Sequence, residues 1–153
     1  MPAQPNEWFH VGIVADDISA AAARITAATG TQWTKPLGAQ IVMRYPDGDR
    51  LTEMKFKFTL TKPYMEVVQA VPGTVFTPAP GNAVHHVAYW VDDLTAASAH
   101  LVSLGMPQEV CGVGEDGQPS IFAYHKGADG IRIEIVERGY VPDWDAMVAE
   151  NAE

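Results

Sequence analysis

The chain has 153 residues, of which 47% are hydrophobic and 19% are charged, and this composition is typical of a globular protein. Its formal net charge of −9 argues against a surface that binds nucleic acid or an anionic membrane. No stretch approaches the roughly 20 apolar residues that a membrane-spanning helix needs, and residues 1–6 lack the features of a signal peptide. The single cysteine, Cys111, excludes an internal disulfide framework and is compatible with a reducing compartment. We therefore expect a cytoplasmic protein.

The first half of the chain predicts one helix among four strands. Residues 8–14 alternate between two faces, as a strand does, and Asp16 or Asp17 can cap a helix that ends at Gly30. Three further strands are predicted at residues 39–45, 51–60 and 64–69. Residues 7–70 therefore form a βαβββ module in this interpretation.

The same order of elements restarts after a linker rich in proline and glycine, residues 71–82. A strand at 84–91 leads to a helix at 94–104, and the remaining strands are predicted at 108–113, 120–125 and 131–136. Residues 83–138 thus form a second βαβββ module, and the tail at 139–153 contains a short helix from Asp143 to Glu150. The sequence predicts an α+β fold in which the two modules form a cupped mixed sheet.

A repeated sequence pattern supports the division into two modules. Residues 9–18 read FHVGIVADDI, and residues 85–94 read HHVAYWVDDL. In both segments a histidine precedes an apolar run that ends at an Asp-Asp pair, and His86 follows His10 by 76 residues. Self-similarity at a fixed spacing indicates a structural repeat. We expect the two halves to pair around a shared site.

Two histidines and two glutamates occupy equivalent positions in this repeat. His10 and His86 lie in the first strand of each module, whereas Glu66 and Glu134 lie in the last. A carboxylate in the middle of an apolar strand is costly to bury unless it is paired or coordinates a metal. By the alternation of side chains, each histidine faces away from the helix of its module, next to a small residue, Gly12 or Ala88.

This set of four side chains predicts a binding site for one divalent metal ion. Two neutral imidazoles and two carboxylates balance the charge of the ion, and mixed nitrogen and oxygen ligands suit Fe, Co, Ni, Mn or Zn. Four protein ligands leave open positions for substrate oxygens if the ion is octahedral. For any one of the four residues alone, a structural role is the more common explanation. Their repeat-equivalent positions favour the metal.

These motifs identify a family resemblance. The segments that begin at His10 and His86, together with Gly130-Ile-Arg-Ile-Glu134-Ile, resemble the vicinal oxygen chelate superfamily. That superfamily includes glyoxalase I, methylmalonyl-CoA epimerase, extradiol dioxygenases and the bleomycin and fosfomycin resistance proteins. The resemblance implies paired βαβββ modules around a metal held by His10, Glu66, His86 and Glu134, a ligand set similar to that of bacterial-type glyoxalase I. It also implies a small-molecule substrate and makes a homodimer the default expectation.

Three function classes follow from the resemblance and the ligand set. The first is a lyase, isomerase or epimerase that chelates substrate oxygens and moves a proton next to a carbonyl, with Glu66 or Glu134 as the catalytic base. The second is an Fe(II) oxygenase that uses both histidines and one glutamate, although the extra glutamate occupies a position that dioxygen or substrate needs. The third is a non-catalytic protein that binds a small molecule or an antibiotic, although such proteins commonly lack the ligand set.

Several other side chains are candidates for contacts with a substrate. Arg132 and Tyr64 share strand faces with the two glutamates, and Arg132 could bind a carboxylate or phosphate or instead form a salt bridge to Glu134. Trp90 could line the site or pack in the core. Tyr124 and His125 lie on opposite faces of one strand, so only one of them can face the site. His85 should be structural, and Lys55 and Lys57 should lie on a solvated face.

Overall fold

The computed structural model describes residues 7–153 and confirms the α+β class. The first repeat contains β1 (Trp8–Ala15), α1 (Ile18–Thr29), β2 (Leu37–Tyr45), β3 (Gly48–Phe58) and β4 (Tyr64–Gln69). The second contains β5 (His86–Val91), α2 (Leu94–Ser103), β6 (Gln108–Val113), β7 (Pro119–Lys126) and β8 (Arg132–Glu137), and α3 (Trp144–Glu150) follows. Short 3₁₀ turns lie at Pro80–Asn82 and Arg138–Tyr140. The order βαβββ therefore occurs twice, as the sequence predicts.

The helix ends follow from the same residues in both repeats. Asp17 accepts a hydrogen bond from the backbone N–H of Ala20 at 3.0 Å, and Asp93 accepts one from Ala96 at 2.9 Å. Each carboxylate thereby satisfies an amide that the first helical turn leaves unpaired. The first helix ends at Gly30, whose φ of 75° is the left-handed conformation expected of a glycine at this position. The second aspartate of each Asp-Asp pair is therefore the capping residue.

Backbone contacts divide the described chain into two compact units. The α1 unit consists of His10–Ala39, Glu53–His85 and Asp143–Glu153, so it includes α1 and α3. Within it, β1 pairs in parallel with β4, and β4 pairs antiparallel with β3. One face of this sheet packs on α1, and a core cluster here contains Ile18, Ala22, Trp33 and Val67.

The α2 unit consists of residues 7–9, Gln40–Thr52 and His86–Pro142. Within it, β5 pairs in parallel with β8, and antiparallel pairs join β8 to β7, β7 to β6 and β6 to β2. Its core beneath α2 contains Val91, Leu94, Ala97, Cys111, Ala123 and Ile135. Cys111 is thus a small, fully buried residue of this core. In both units a parallel pair joins the first and last strands of a repeat.

Two further findings concern helix and strand surfaces. None of the helices in residues 7–153 is both long enough and apolar enough to cross a membrane. The prediction that Lys57 lies on a solvated face is wrong, because its side chain is buried, whereas the side chain of Lys55 is more than half exposed. Lys57 lies opposite Val67 of β4, which packs beneath α1, so the strand face is covered at the position of Lys57.

A close backbone approach requires glycine at position 112 of β6. The pairing of β6 with β7 shifts register between Cys111 and Gly112, and a Cβ atom at position 112 would lie 2.3 Å from the carbonyl oxygen of Ser120. Ile121 follows with a φ of 72°, which marks the irregularity on the partner strand. Only a residue without a side chain fits this irregular pairing.

We predict that Gly112→Ala lowers the free energy of unfolding by about 1–3 kcal/mol, because backbone atoms must move to relieve the overlap. Gly139→Ala is the matched control, since no atom lies within 4 Å of the added methyl group there, and it should change stability by less than about 0.5 kcal/mol. Urea unfolding followed by circular dichroism measures both. Equal stability of the Gly112→Ala variant and the wild type would contradict the packing described for this pair of strands.

Candidate metal-binding residues

The first His–Glu pair is built on two neighbouring parallel strands of the α1 unit. The register of β1 and β4 places Gly12 opposite Glu66, with His10 two residues earlier on β1. His10 is 1% exposed and Glu66 is 8% exposed. The Nε2 atom of His10 lies 3.1 Å from Oε2 of Glu66. Gly12, which has no side chain, lies directly opposite the carboxylate of Glu66.

The α2 unit contains an equivalent pair. The register of β5 and β8 places Ala88 opposite Glu134, again with the histidine, His86, two residues earlier. His86 is 1% exposed and Glu134 is 8% exposed. The Nε2 atom of His86 lies 3.2 Å from Oε2 of Glu134. The same atoms therefore meet at nearly the same distance in both repeats, and a small residue lies opposite the glutamate in each.

These pairs have the chemistry of metal ligands. Each of the four residues offers one nitrogen or carboxylate oxygen, so this set of two histidines and two glutamates could hold a metal ion. At metal–ligand distances of about 2.1 Å, two neighbouring ligands of an octahedral ion lie roughly 3.0 Å apart. The separations of 3.1 and 3.2 Å within the pairs match that value. The donor atoms and their spacing within each pair fit a divalent cation of the first transition row.

An aromatic ring contacts each histidine at a repeat-equivalent position. Phe58 on β3 lies opposite Glu66, and its ring meets the imidazole of His10 edge-on at 5.1 Å. Tyr124 on β7 lies opposite Glu134, and its ring lies 4.9 Å from that of His86 at a tilt of 34°. These rings restrict the orientation of the imidazoles and keep the surroundings apolar. The sequence did not identify Phe58 and did not decide between Tyr124 and His125, because it does not fix the hairpin registers that place the two rings opposite the glutamates.

Tyr64 and α3 extend the aromatic contacts of the α1 unit. The ring of Trp144 meets Phe58 edge-on at 4.7 Å, and the hydroxyl group of Tyr64 donates a hydrogen bond of 2.6 Å to Asp145. Burial and this hydrogen bond raise the pKa of Tyr64 well above its usual value. The hydrogen bond from Tyr64, followed by the one from Lys62, lowers the pKa of Asp145. The contact found for the Tyr64 hydroxyl is with α3, so its predicted role in substrate binding stays a prediction.

Arg132 and Trp90 have well-defined partners within the α2 unit. The guanidinium group of Arg132 donates two hydrogen bonds to the carboxylate of Glu109, at 2.6 and 3.1 Å. Trp90 stacks on Phe9 with ring centroids 3.9 Å apart. Substrate binding by either residue stays a prediction. The ion pair to Glu109 was not foreseen, because Glu109 belongs to a different strand and no repeat pattern marks it.

Two further histidines, His85 and His125, have structural partners. His85 forms a hydrogen bond of 2.9 Å through Nε2 with the carbonyl oxygen of Val75, as expected for a structural residue. His125 lies on the α2 face of β7, where Nδ1 is 2.9 Å from the carbonyl oxygen of Met106 and Nε2 is 2.9 Å from Ser98 Oγ. Of the two neighbours on β7, Tyr124 is therefore the one that contacts His86.

Comparison with known proteins gives a family match. Residues 9–124 match the family model described as the glyoxalase/bleomycin resistance protein/dioxygenase superfamily. None of the curated protein sequences matches the chain significantly. The matched range begins one residue before His10 and includes Glu66 and His86.

Solved structures with the same fold include several methylmalonyl-CoA epimerases. One, in complex with methylmalonyl-CoA and NH4+, is 16% identical with a TM-score of 0.58 and covers 86% of this chain and 93% of its own. A variant of the Streptomyces coelicolor methylmalonyl-CoA epimerase, in complex with 2-nitronate-propionyl-CoA, has the same identity and TM-score. The match covers 86% of this chain and 96% of the epimerase chain. A hypothetical protein from Bacillus halodurans C-125 is 19% identical with a TM-score of 0.55, and the match covers 88% of this chain and 95% of that protein. At these identities the likeness shows the fold.

The burial of His125 predicts a pH dependence of stability. Burial lowers the pKa of His125 in the folded protein. As the pH falls below the ordinary histidine value of about 6.5, the unfolded chain binds the proton first, so this contribution to stability is present above that pH and lost below it. The free energy of unfolding should therefore fall more steeply between pH 7 and 5.5 in the wild type than in His125→Gln. Urea unfolding at the two pH values measures the difference.

His100→Gln is the matched control, because His100 lies on the partly exposed side of α2. This variant should keep the pH dependence of the wild type. A His125→Gln variant whose stability falls with pH as steeply as that of the wild type would show that His125 does not make this contribution.

Proposed function

The chain belongs to the glyoxalase/bleomycin resistance protein/dioxygenase superfamily, and from this premise we propose that it is a metal-dependent enzyme that moves a proton next to a carbonyl group. Members of the superfamily are mostly enzymes, and the family typically uses a divalent metal. The observation that carries the proposal is the duplicated, buried His–Glu pair, with Nε2 and Oε2 at 3.1 Å in one repeat and 3.2 Å in the other.

In this proposal His10, Glu66, His86 and Glu134 together hold one divalent cation. Burial of an ionised carboxylate costs free energy. A neutral imidazole gives each glutamate a polar partner but leaves its negative charge unbalanced. Two carboxylates and two neutral imidazoles balance a doubly charged cation. When bound, the cation withdraws electrons from a substrate carbonyl and so makes the adjacent C–H bond more acidic.

The glutamates are the proposed bases. The carboxylate of Glu66 or Glu134 would take the proton from the carbon next to the carbonyl, while the other three side chains hold the cation. For an epimerase or isomerase, the equivalent carboxylate of the other repeat would return a proton after it has itself been protonated, by the first carboxylate or by solvent. Phe58 and Tyr124 keep water away from the imidazoles through their ring contacts.

The substrate class is proposed from the same chemistry. A thioester or a thiohemiacetal has an acidic C–H bond next to an oxygen that a metal can bind. Methylmalonyl-CoA, which is bound in one structure of the same fold, is therefore a suitable first test substrate. A thiohemiacetal is the second test substrate. Both substrates place a carbonyl or hydroxyl oxygen beside the carbon that loses its proton.

Matched substitutions test the proposal. We predict that Glu66→Gln and Glu134→Gln each weaken metal binding by roughly 10- to 100-fold or more, because each removes a charged ligand, and slow exchange of the substrate proton by about 10²- to 10⁴-fold. Elemental mass spectrometry measures the metal, and proton NMR in D₂O measures exchange at the carbon next to the carbonyl.

The exposed residue Glu53 on β3 provides the control, and Glu53→Gln should leave both quantities unchanged. A wild-type protein that binds no divalent metal after reconstitution would overturn the proposal. A metal-loaded protein that consumes dioxygen with an aromatic diol but exchanges no proton would replace it with the oxygenase alternative.

A further inference from the structure

A cleft on the α1 side of the sheet contains a buried lysine. The cleft has a volume of about 460 Å³, and its walls include Ala22, Ala23 and Thr26 of α1 and the indole of Trp33. Lys57 lies in the lining and is 3% exposed. All of these residues belong to the α1 unit. A volume of this size is within the range of small-molecule sites.

The position of Lys57 explains its burial. Lys57 lies opposite Val67 in the pairing of β3 with β4, so both side chains project from the same face of the sheet. Val67 packs with Ala22 and Trp33 in the core beneath α1. An apolar side chain of similar length would satisfy the packing at position 57, so the fold alone does not require a charge there.

The ammonium group of Lys57 is paired with a carboxylate that is itself largely in solvent. Its Nζ atom lies 2.7 Å from Oε2 of Glu153, whose side chain is 59% exposed. The backbone holds Glu153 in place, because its N–H donates to the carbonyl oxygen of Trp33 at 3.1 Å and Thr34 bridges to Ala152. The Lys57 side chain is therefore buried beside a carboxylate that is itself mostly in solvent, and rotation of the Glu153 side chain into water would open the position beside the ammonium group.

We infer that this cleft is a binding site for a small monocarboxylate with a short apolar chain, and that the Glu153 side chain occupies it when the ligand is absent. The Glu153 side chain is chemically a propionate group, so a carboxylate on a short alkyl chain is already seen to fit beside Lys57. The alanine methyl groups and the Trp33 ring provide apolar surface for the chain of the ligand. A dianion would bring two charges to one buried cation, which leaves one charge unbalanced. This inference does not depend on the proposed enzymatic function.

The test is a tryptophan fluorescence titration of the full chain with sodium butanoate at constant ionic strength. In Glu153→Ala, butanoate should change the emission of Trp33 in a saturable way. The wild type should bind butanoate roughly tenfold more weakly, because the tethered carboxylate competes at a high effective concentration. Lys57→Met combined with Glu153→Ala should abolish the saturable change, and Trp33→Phe should remove the signal from Glu153→Ala.

Three controls define the outcome. Glu150→Ala removes a nearby exposed negative charge and should behave as the wild type does. Butan-1-ol and sulfate should bind Glu153→Ala more weakly than butanoate does. Glu153→Gln, which removes only the charge, replaces Glu153→Ala if circular dichroism shows that the latter is unfolded. Binding that survives Lys57→Met would place the ligand elsewhere, including at the proposed metal, and would overturn the inference. Absence of saturable binding in both Glu153 variants would also overturn it.

Discussion

The pairing of a buried glutamate with a histidine on the adjacent parallel strand is the interaction on which the candidate site depends. Each glutamate would be an isolated buried charge without its imidazole, and the separations of 3.1 and 3.2 Å show that neither is isolated. The first and last strands of each repeat pair in parallel, and their register places the carboxylate opposite Gly12 or Ala88. The histidine lies two residues before that small residue on the same strand, so this register brings it next to the carboxylate. The chemistry of the proposed site is therefore a direct consequence of strand register.

Much of this arrangement could be predicted from the sequence, because it is encoded locally and encoded twice. The Asp-Asp segments fix where both helices begin, and the alternation within the strands fixes which face carries His10 and His86. The repeat then identifies Glu66 and Glu134 as equivalent residues. Local patterns of this kind survive folding because they depend on neighbours one to four residues away.

Contacts between residues distant in the chain could not be predicted in the same way. The contacts of Phe58 and Tyr124 with the histidines depend on the registers of two hairpins, and the sequence does not fix these registers to the exact residue. The partner of Lys57, Glu153, lies 96 residues away in the sequence. Without knowledge of that contact, the strand pattern predicts a solvated lysine on a polar face. The hydrogen bond from Tyr64 to Asp145 likewise depends on where α3 packs. In each case a tertiary contact decides the environment of a polar side chain.

X-ray absorption spectroscopy of the cobalt-loaded full chain can decide whether the two His–Glu pairs bind the same ion. We predict about one cobalt per chain, with two imidazoles and two carboxylates among its nearest ligands. The multiple-scattering signal of the imidazoles should fall by about half in His10→Ala and in His86→Ala alike, because each substitution removes one of the two rings. Two cobalt ions per chain, each with a single imidazole, would show that the two pairs do not share an ion.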